Sequence, residues 1–376
     1  MKRVFSLVLC LALACGLAAC GGRDTSSIAQ LDPSSTSSRA GNGEGIVQPD
    51  TPAPTYNLIT GAPLAEGVEP GQRPVAIMVN NLQAALPQRG IGAADAIFEM
   101  VTEGGITRLL AVFSDRNAIP QVGPVRSARD QHLQFVLPLN AIFVHIGSSV
   151  YAANLISEYA YQDIDGMYLG STSFVFDEIR NKNAHYAQEH CWYTDSALIA
   201  AGMEKTGLAS GGANTPLFKF AQTAAAPTES DAPDISFRFS GYSPVRLTYD
   251  AAFGAYLKQA YEAPQIDEST GAQLAFQNVV LLFTDVSLKP DGQCTDFALT
   301  KGTGYYCYGG KARAIHWEKG GPTAALKLTD GEGNEIEVNP GKSYIAVIGN
   351  DHKDSLSLGA VQPAASSEPA SASAAQ

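Results

Sequence analysis

Charged and amide side chains that could bind or transform a ligand fall mostly within Arg73–Ser149, which reads RPVAIMVNN, LPQRG, DAIFEMVTEGGITRLLAVF, VGPVRSARD and AIFVHIGSS in order. Arg126 and Arg129, three residues apart in a Gly-Pro loop expected to enter a helix, are suited to gripping phosphate or carboxylate. The same pair would serve a structural network if it met Glu99 or Glu103 instead, and Arg108 stands just beyond these carboxylates. Asn80 and Asn81 end one apolar run, where side-chain amides orient a ligand or cap a turn. His145 ends another, directly before Gly147-Ser148-Ser149, and is expected to be hydrogen-bonded into the site. No nucleophile elbow, P-loop, GxGxxG or CxxC pattern occurs, so nucleotide-dependent and thioredoxin-like chemistry are not leading readings and no cofactor is expected. His185 and His190, five apart around Glu189, lack the spacing of a zinc site, so no metal is expected.

Positioning these groups requires strands that end at a common edge. Short β-prone runs predict strands at Val75–Val79, Ala96–Val101, Ile106–Phe113 and Ala141–Ile146. Ser127 with Asp130 three residues later predicts a capped helix over Ser127–Val136, stopped by Pro138, and the apolar spacing predicts another over Ser149–Tyr159. Residues 173–195, polar and aromatic with no long apolar run, read as a loop with short helices folded over the functional edge, before a helix at Ser196–Thr206. The fold class is therefore α/β, a mixed sheet with helices, over 57–222, followed by a linker at 223–233. A smaller, mainly antiparallel β domain is expected over 234–352, with its strands separated by turn dipeptides such as Asp291-Gly292 and Pro340-Gly341.

The order Asn80-Asn81, Leu86-Pro87-Gln88, Glu99, Glu103-Gly104-Gly105-Ile106-Thr107-Arg108 and Gly123-Pro124-Val125-Arg126-Ser127-Ala128-Arg129, then His145, resembles the YerB-like bacterial lipoproteins, the DUF3048 domain family. His190-Cys191-Trp192-Tyr193-Thr194 is similar to that family's His-Asn-Leu-Tyr-Thr, with Cys191 in place of Asn and Trp192 in place of Leu. The resemblance covers roughly residues 70–350 and implies an architecture and a set of positions, not a reaction. VGPVRSARD is also similar, over a short stretch, to the LytR-CpsA-Psr phosphotransferases, which hold a polyprenyl pyrophosphate with arginines.

The N-terminus points to the compartment. Lys2-Arg3, the apolar Val4–Ala14 and Leu17-Ala18-Ala19-Cys20 form a lipoprotein signal over 1–19, so Cys20 is the expected lipidation site and the bilayer its partner, on the extracytoplasmic face of the cell membrane. Residues 20–56 and 353–376, rich in Ser, Ala, Gly and Pro, read as a tether and a tail. Of six cysteines, Cys10 and Cys15 leave with the signal and Cys20 goes to lipid; Cys294 and Cys307 are the expected disulfide and Cys191 the free thiol. The formal charge of −12 argues against nucleic acid, so an anionic cell-wall or lipid-linked ligand would be met by local arginines. The leading expectation is a membrane-anchored lipoprotein binding such a ligand. The alternatives are an enzyme acting on cell-wall or lipid-linked glycan, and an envelope scaffold with a protein partner.

Overall fold

Residues 55–183, 186–212 and 214–359 are described by the computed structural model. The signal, Cys20, most of the tether, His185 and the end of the tail lie outside them.

Mainly apolar runs form β1 (Val75–Asn80), β2 (Ala96–Val101) and β3 (Thr107–Phe113), every residue of which is buried. β4 (Ile142–His145) and β5 (Asp163–Asp165) extend this group, and β6 (Val175–Phe176) pairs with β7 (Trp192–Tyr193) in a separate hairpin. The helices are α1 (Asp130–Leu139), α2 (Val150–Glu158), α3 (Gly166–Leu169), α4 (Glu178–Asn183) and α5 (Ser196–Thr206). The second half is mainly antiparallel. It comprises β8 (Ser230–Asp231), β9 (Asp234–Arg238), β10 (Pro244–Asp250), β11 (Ala255–Ala260), β12 (Ala263–Pro264), β13 (Ala275–Phe276) and β14 (Asn278–Thr284). It continues with β15 (Val286–Leu288), β16 (Thr295–Phe297), β17 (Lys301–Tyr308), β18 (Lys311–Glu318), β19 (Lys327–Thr329), β20 (Ser343–Gly349) and β21 (Ser357–Gly359).

The chain is thus a mixed α/β region followed by a β-rich one, as expected, but the 223–233 segment does not separate two bodies. One sheet runs β19-β18-β17-β14-β20-β2-β3-β1-β4-β5, with β8 beside β18. β20 lies parallel to β2 on one side and to β14 on the other, so strands from the two ends of the sequence share one hydrogen-bonded core. The seven residues of β20 are all buried, which that central place demands. The expected tail also begins too early, because β21 pairs with β9 and orders the chain through Gly359.

β9–β12, β13 and β21 make a second sheet. Lys258 of β11 reaches Glu99 of β2, and Phe276 packs on Tyr344, so this sheet covers the Glu99 face of the main one. The other face takes α1, whose Phe135 lies 4.8 Å from Phe98, centroid to centroid.

α1 departs from its expected bounds. It starts at Asp130, with Arg129 at the N-cap position but no side-chain capping hydrogen bond, because residues 124–128 are held extended. Pro138 occupies the last turn and Asn140, in the left-handed region at φ 48°, ends the helix. The free N–H groups of α1 are therefore displaced from Arg126, and Asp130 and Lys289, paired at 3.0 Å, occupy that end.

The disulfide is also corrected. Cys191, Cys294 and Cys307 are all free. Cys307 is buried inside β17, paired with Val279 and Ala312, whereas Cys294 lies in the turn joining β15 to β16. Burial, Asp291 and Glu103 together push the Cys294 thiol up to about 12, which leaves it unreactive.

Candidate anion site at the carboxyl edge of the sheet

β1, β4 and β5 run parallel, and β2 runs the same way because β1 and β2 both pair antiparallel with β3. Asn80, His145 and Asp165 are accordingly last in their strands at one edge, with Glu103 just past β2 and Arg108 near the start of β3. The pairing of β1 with β4 stops at Ile77 and Val144. Beyond that point residues 124–128 fill the gap: Arg126 N donates to Met78 O at 2.9 Å, and Ile146 N donates to Arg126 O at 3.2 Å. The segment thus floors an edge crevice outside the carboxyl ends of β1, β4 and β5, the place where α/β sheets bind ligands.

Glycine is required at two places here. A Cβ on Gly123 would lie 2.6 Å from Trp192 O, and Gly147 turns the chain at φ 71°. On the outer side, Val125 N donates to Trp192 O at 2.7 Å, which brings in the turn carrying Glu189 and His190.

The nine residues singled out in sequence divide into four groups. Glu99 and Asn81 face away from the crevice. Strand alternation puts Glu99 opposite Leu109, while Asn80 and Met100 lie opposite Arg108. Glu99 is closed in by Asn81 Nδ2 at 2.9 Å, Thr107 Oγ1 at 2.7 Å, Tyr344 OH at 2.7 Å and Lys258 Nζ at 3.1 Å. Gln88 and Gln265 donate to Asn81 Oδ1 at 2.7 and 2.9 Å, completing a buried network between the sheets.

The second group is an ion cluster. Arg129 grips Glu103 with two bonds, 2.5 and 3.0 Å, and Arg108 stands 3.7 Å from the same carboxylate while donating to Ser127 O at 2.9 Å. Burial raises Glu103, but Arg129 and Arg108 outweigh it and hold the carboxyl below its usual range. Burial and the Arg129 charge bring Arg108 down to about 9. For Arg129, then, the structural alternative holds.

His145 is the third case. Its ring bonds Gly147 O at 2.9 Å and Asp163 Oδ2 at 2.9 Å, with Asp165 at 3.8 Å, and it is 1% exposed. Both nitrogens are engaged, so it braces the β4–β5 end and offers a ligand nothing.

The fourth group is Arg126, His190 and Asn80. Arg126 is half-buried and has no ion pair or side-chain hydrogen bond among the described residues; its Nε is buried without a partner. Burial pulls it below the usual arginine range, with Glu189 opposing and Arg129 adding to the shift. Asn80 Oδ1 accepts Leu82 N at 3.0 Å, so its Nδ2 must face His190 Nδ1 at 3.0 Å. Nδ1 therefore accepts, and the proton of the neutral ring is on Nε2, which has no partner among the described residues. Burial lowers His190, with Arg126 and Arg180 reinforcing it and Glu189 opposing, so the ring is neutral at pH 7. The Arg126 charge is felt at the His190 ring, so a guanidinium and an Nε2–H without partners among the described residues lie in one neighbourhood, donors of the kind an oxyanion needs. A cleft of about 890 Å³ lies elsewhere, bordered by Tyr56, Lys219, Phe220 and Lys327, and none of the nine residues lines it.

Lys258, Tyr344, Gln265 and Asp163 were missed in sequence. Lys258 carried a signal, since alternation in AYLKQAYE puts it inward with Tyr256 and Ala260, and an inward lysine on a strand demands a carboxylate.

Comparison with known proteins places this geometry in a family. The family described as "Protein of unknown function (DUF3048) N-terminal domain" matches residues 59–209, and its C-terminal counterpart matches 235–345. YerB of Bacillus subtilis (strain 168), which is named as a lipoprotein, is 27% identical over 315 residues, 83% of this chain and 91% of that protein. The crystal structure of YerB from Bacillus subtilis superimposes with a TM-score of 0.70 at 25% identity, covering 81% of this chain and 98% of that one. Among the described residues no helix is long and apolar enough to cross a membrane. With both of its domains present in order on one continuous sheet, the chain belongs to the DUF3048 family of YerB-like proteins.

Proposed function

We propose that this protein is a lipoprotein held on the extracytoplasmic face of the membrane by acylated Cys20, and that it binds an anionic, phosphate- or carboxylate-bearing envelope ligand at Arg126 and His190. The anchor is supported by Leu17-Ala18-Ala19-Cys20 and by the lipoprotein name of the relative. Exchange of Cys20 for Ser is expected to move the protein from the membrane to the soluble fraction or to leave an unprocessed precursor. Unchanged fractionation with the leader removed contradicts the anchor.

The observation that carries the binding reading is the contrast among arginines at one edge: Arg108 and Arg129 are committed to Glu103, whereas Arg126, with the Glu189 charge in its neighbourhood, has no ion pair or side-chain hydrogen bond among the described residues. A half-buried guanidinium without a partner is unfavourable unless a ligand completes it. Inorganic phosphate or pyrophosphate is expected to bind the protein, and Arg126→Ala to weaken that binding about ten- to a hundredfold, the loss of one charge-assisted contact. A bound anion favours protonated His190 at the expense of its hydrogen bond from Asn80, so affinity is expected to rise as pH falls towards the lowered value of the free ring and to level off below it. Titration calorimetry at pH 7.5 and 5.5 reads both effects, and an Arg126→Ala variant that binds as before refutes the site. Nothing in the constellation supplies a nucleophile, so binding is favoured over catalysis.

A further inference from the structure

The segments hydrogen-bonded to the neighbours of Arg126 on either side carry large apolar side chains held out in solvent. On one side, Ala128 N donates to Gly147 O at 2.9 Å and Ser149 N donates to Ala128 O at 3.1 Å, which fixes the first residue of α2, Val150, 60% exposed, beside the crevice. α3 is fixed to the same turn, because Asp165 Oδ1 accepts both Gly147 N at 2.7 Å and Met167 N at 2.9 Å. A Cβ on Gly147 would meet Met167 Cγ at 3.5 Å and Ser127 Oγ at 3.7 Å, so the Met167 side chain lies next to the neighbour of Arg126. Met167 is 69% exposed and Tyr168, which follows it, 88%. On the other side, Trp192 O accepts Val125 N, and Val175, opposite Tyr193 in the β6–β7 hairpin, is 39% exposed. α3 is four residues long and capped by a buried carboxylate, so these side chains are displayed by a braced turn. Exposed apolar side chains on the segments that flank residues 124–128, with a cation that has no ion pair among the described residues between them, are complementary to a molecule with an anionic head and a hydrocarbon body.

We infer that the crevice takes one molecule of a phosphate-bearing amphiphile, its phosphate on Arg126 and His190 and its hydrocarbon chain along Val150, Met167 and Tyr168. This rests on the anion reading of Arg126 and names the ligand class. A single molecule is favoured over the bilayer surface by charge: the chain carries −12, −14 once Lys2 and Arg3 are lost with the leader, which repels an anionic membrane, and the cation is half-buried where a flat surface cannot reach it.

The test uses the chain from residue 20 onward with C20S, titrated with decyl phosphate below its micelle concentration, with inorganic phosphate and with decanol. Decyl phosphate is expected to bind at least about tenfold tighter than inorganic phosphate, from burial of the displayed apolar surface. Met167→Ser with Tyr168→Ser is expected to return it to the inorganic phosphate affinity, and Arg126→Ala to weaken both phosphates. Because Met167 and Tyr168 are exposed, the double variant should keep its fold, which its thermal melt checks. Inorganic phosphate binding with no gain from the decyl chain overturns the amphiphile and leaves the anion site standing. Failure of both phosphates overturns the two together. Decanol binding as tightly as decyl phosphate, or binding only to micelles or vesicles, overturns the inference in favour of an apolar patch or a bilayer surface.

Discussion

Glu99→Ala is expected to lower the unfolding free energy by about 3–5 kcal/mol, a large share of the 5–15 kcal/mol typical of a folded domain. Both Glu99 and Lys258 are 1% exposed, and removing the carboxylate leaves a buried ammonium held only by Gln265 Oε1 at 2.6 Å and the Tyr344 ring at 5.1 Å. It also strips the acceptor from the Thr107 and Tyr344 hydroxyls and one of two from Asn81 Nδ2. Lys258→Ala is expected to cost a similar amount, because the buried carboxylate then loses its counter-charge. The two residues share one network, so Glu99→Leu with Lys258→Met should lose clearly less than the two alanine variants added together. Denaturant unfolding of the three variants measures this, and single losses under about 1 kcal/mol would contradict a buried pair joining the sheets. Phosphate affinity should be unchanged throughout, since Glu99 faces the other side of the sheet.

Acid is expected to weaken the fold through His132. Its ring is fully buried, Nε2 reaches Arg108 O at 3.3 Å and Nδ1 has no partner among the described residues, and burial, with Arg108 and Arg129 adding, brings its pKa down to about 3. The sign follows from linkage. The unfolded chain, with an ordinary value near 6.5, binds the proton more tightly, so this contribution is intact above about 6.5 and is lost as pH falls towards 3. At about 1.4 kcal/mol for each unit of depression, the loss on full acidification reaches about 5 kcal/mol. His132→Gln, which cannot take up the proton, should lose stability less steeply between pH 6.5 and 4, with the lowered His190 leaving a residual slope. Parallel pH profiles for the two proteins would contradict this.

The edge that gathers the polar residues was legible in the sequence because it follows from strand ends, and so was the role of Arg129, weighed as a partner for Glu103. Two things were hidden. Alternation puts Glu99 and Asn80 on opposite faces, but only the pairing register through β3 shows that these faces belong to different layers. The shared sheet was hidden because β20 reaches β2 across more than two hundred residues, and a buried parallel strand reads the same whichever sheet it joins. The extended path of residues 124–128 was masked by local signals, since Ser127 and Asp130 look like a helix start until the gap between β1 and β4 claims the backbone.

The claim that Arg126 is the open cation of this edge is tested most directly by anomalous diffraction from a crystal soaked in tungstate, a heavy oxyanion. A tungsten peak is expected at hydrogen-bonding distance from the Arg126 guanidinium and His190 Nε2, absent from Arg126→Ala crystals. A peak at Arg108 and Arg129 with Glu103 displaced, or no peak at this edge, would contradict it.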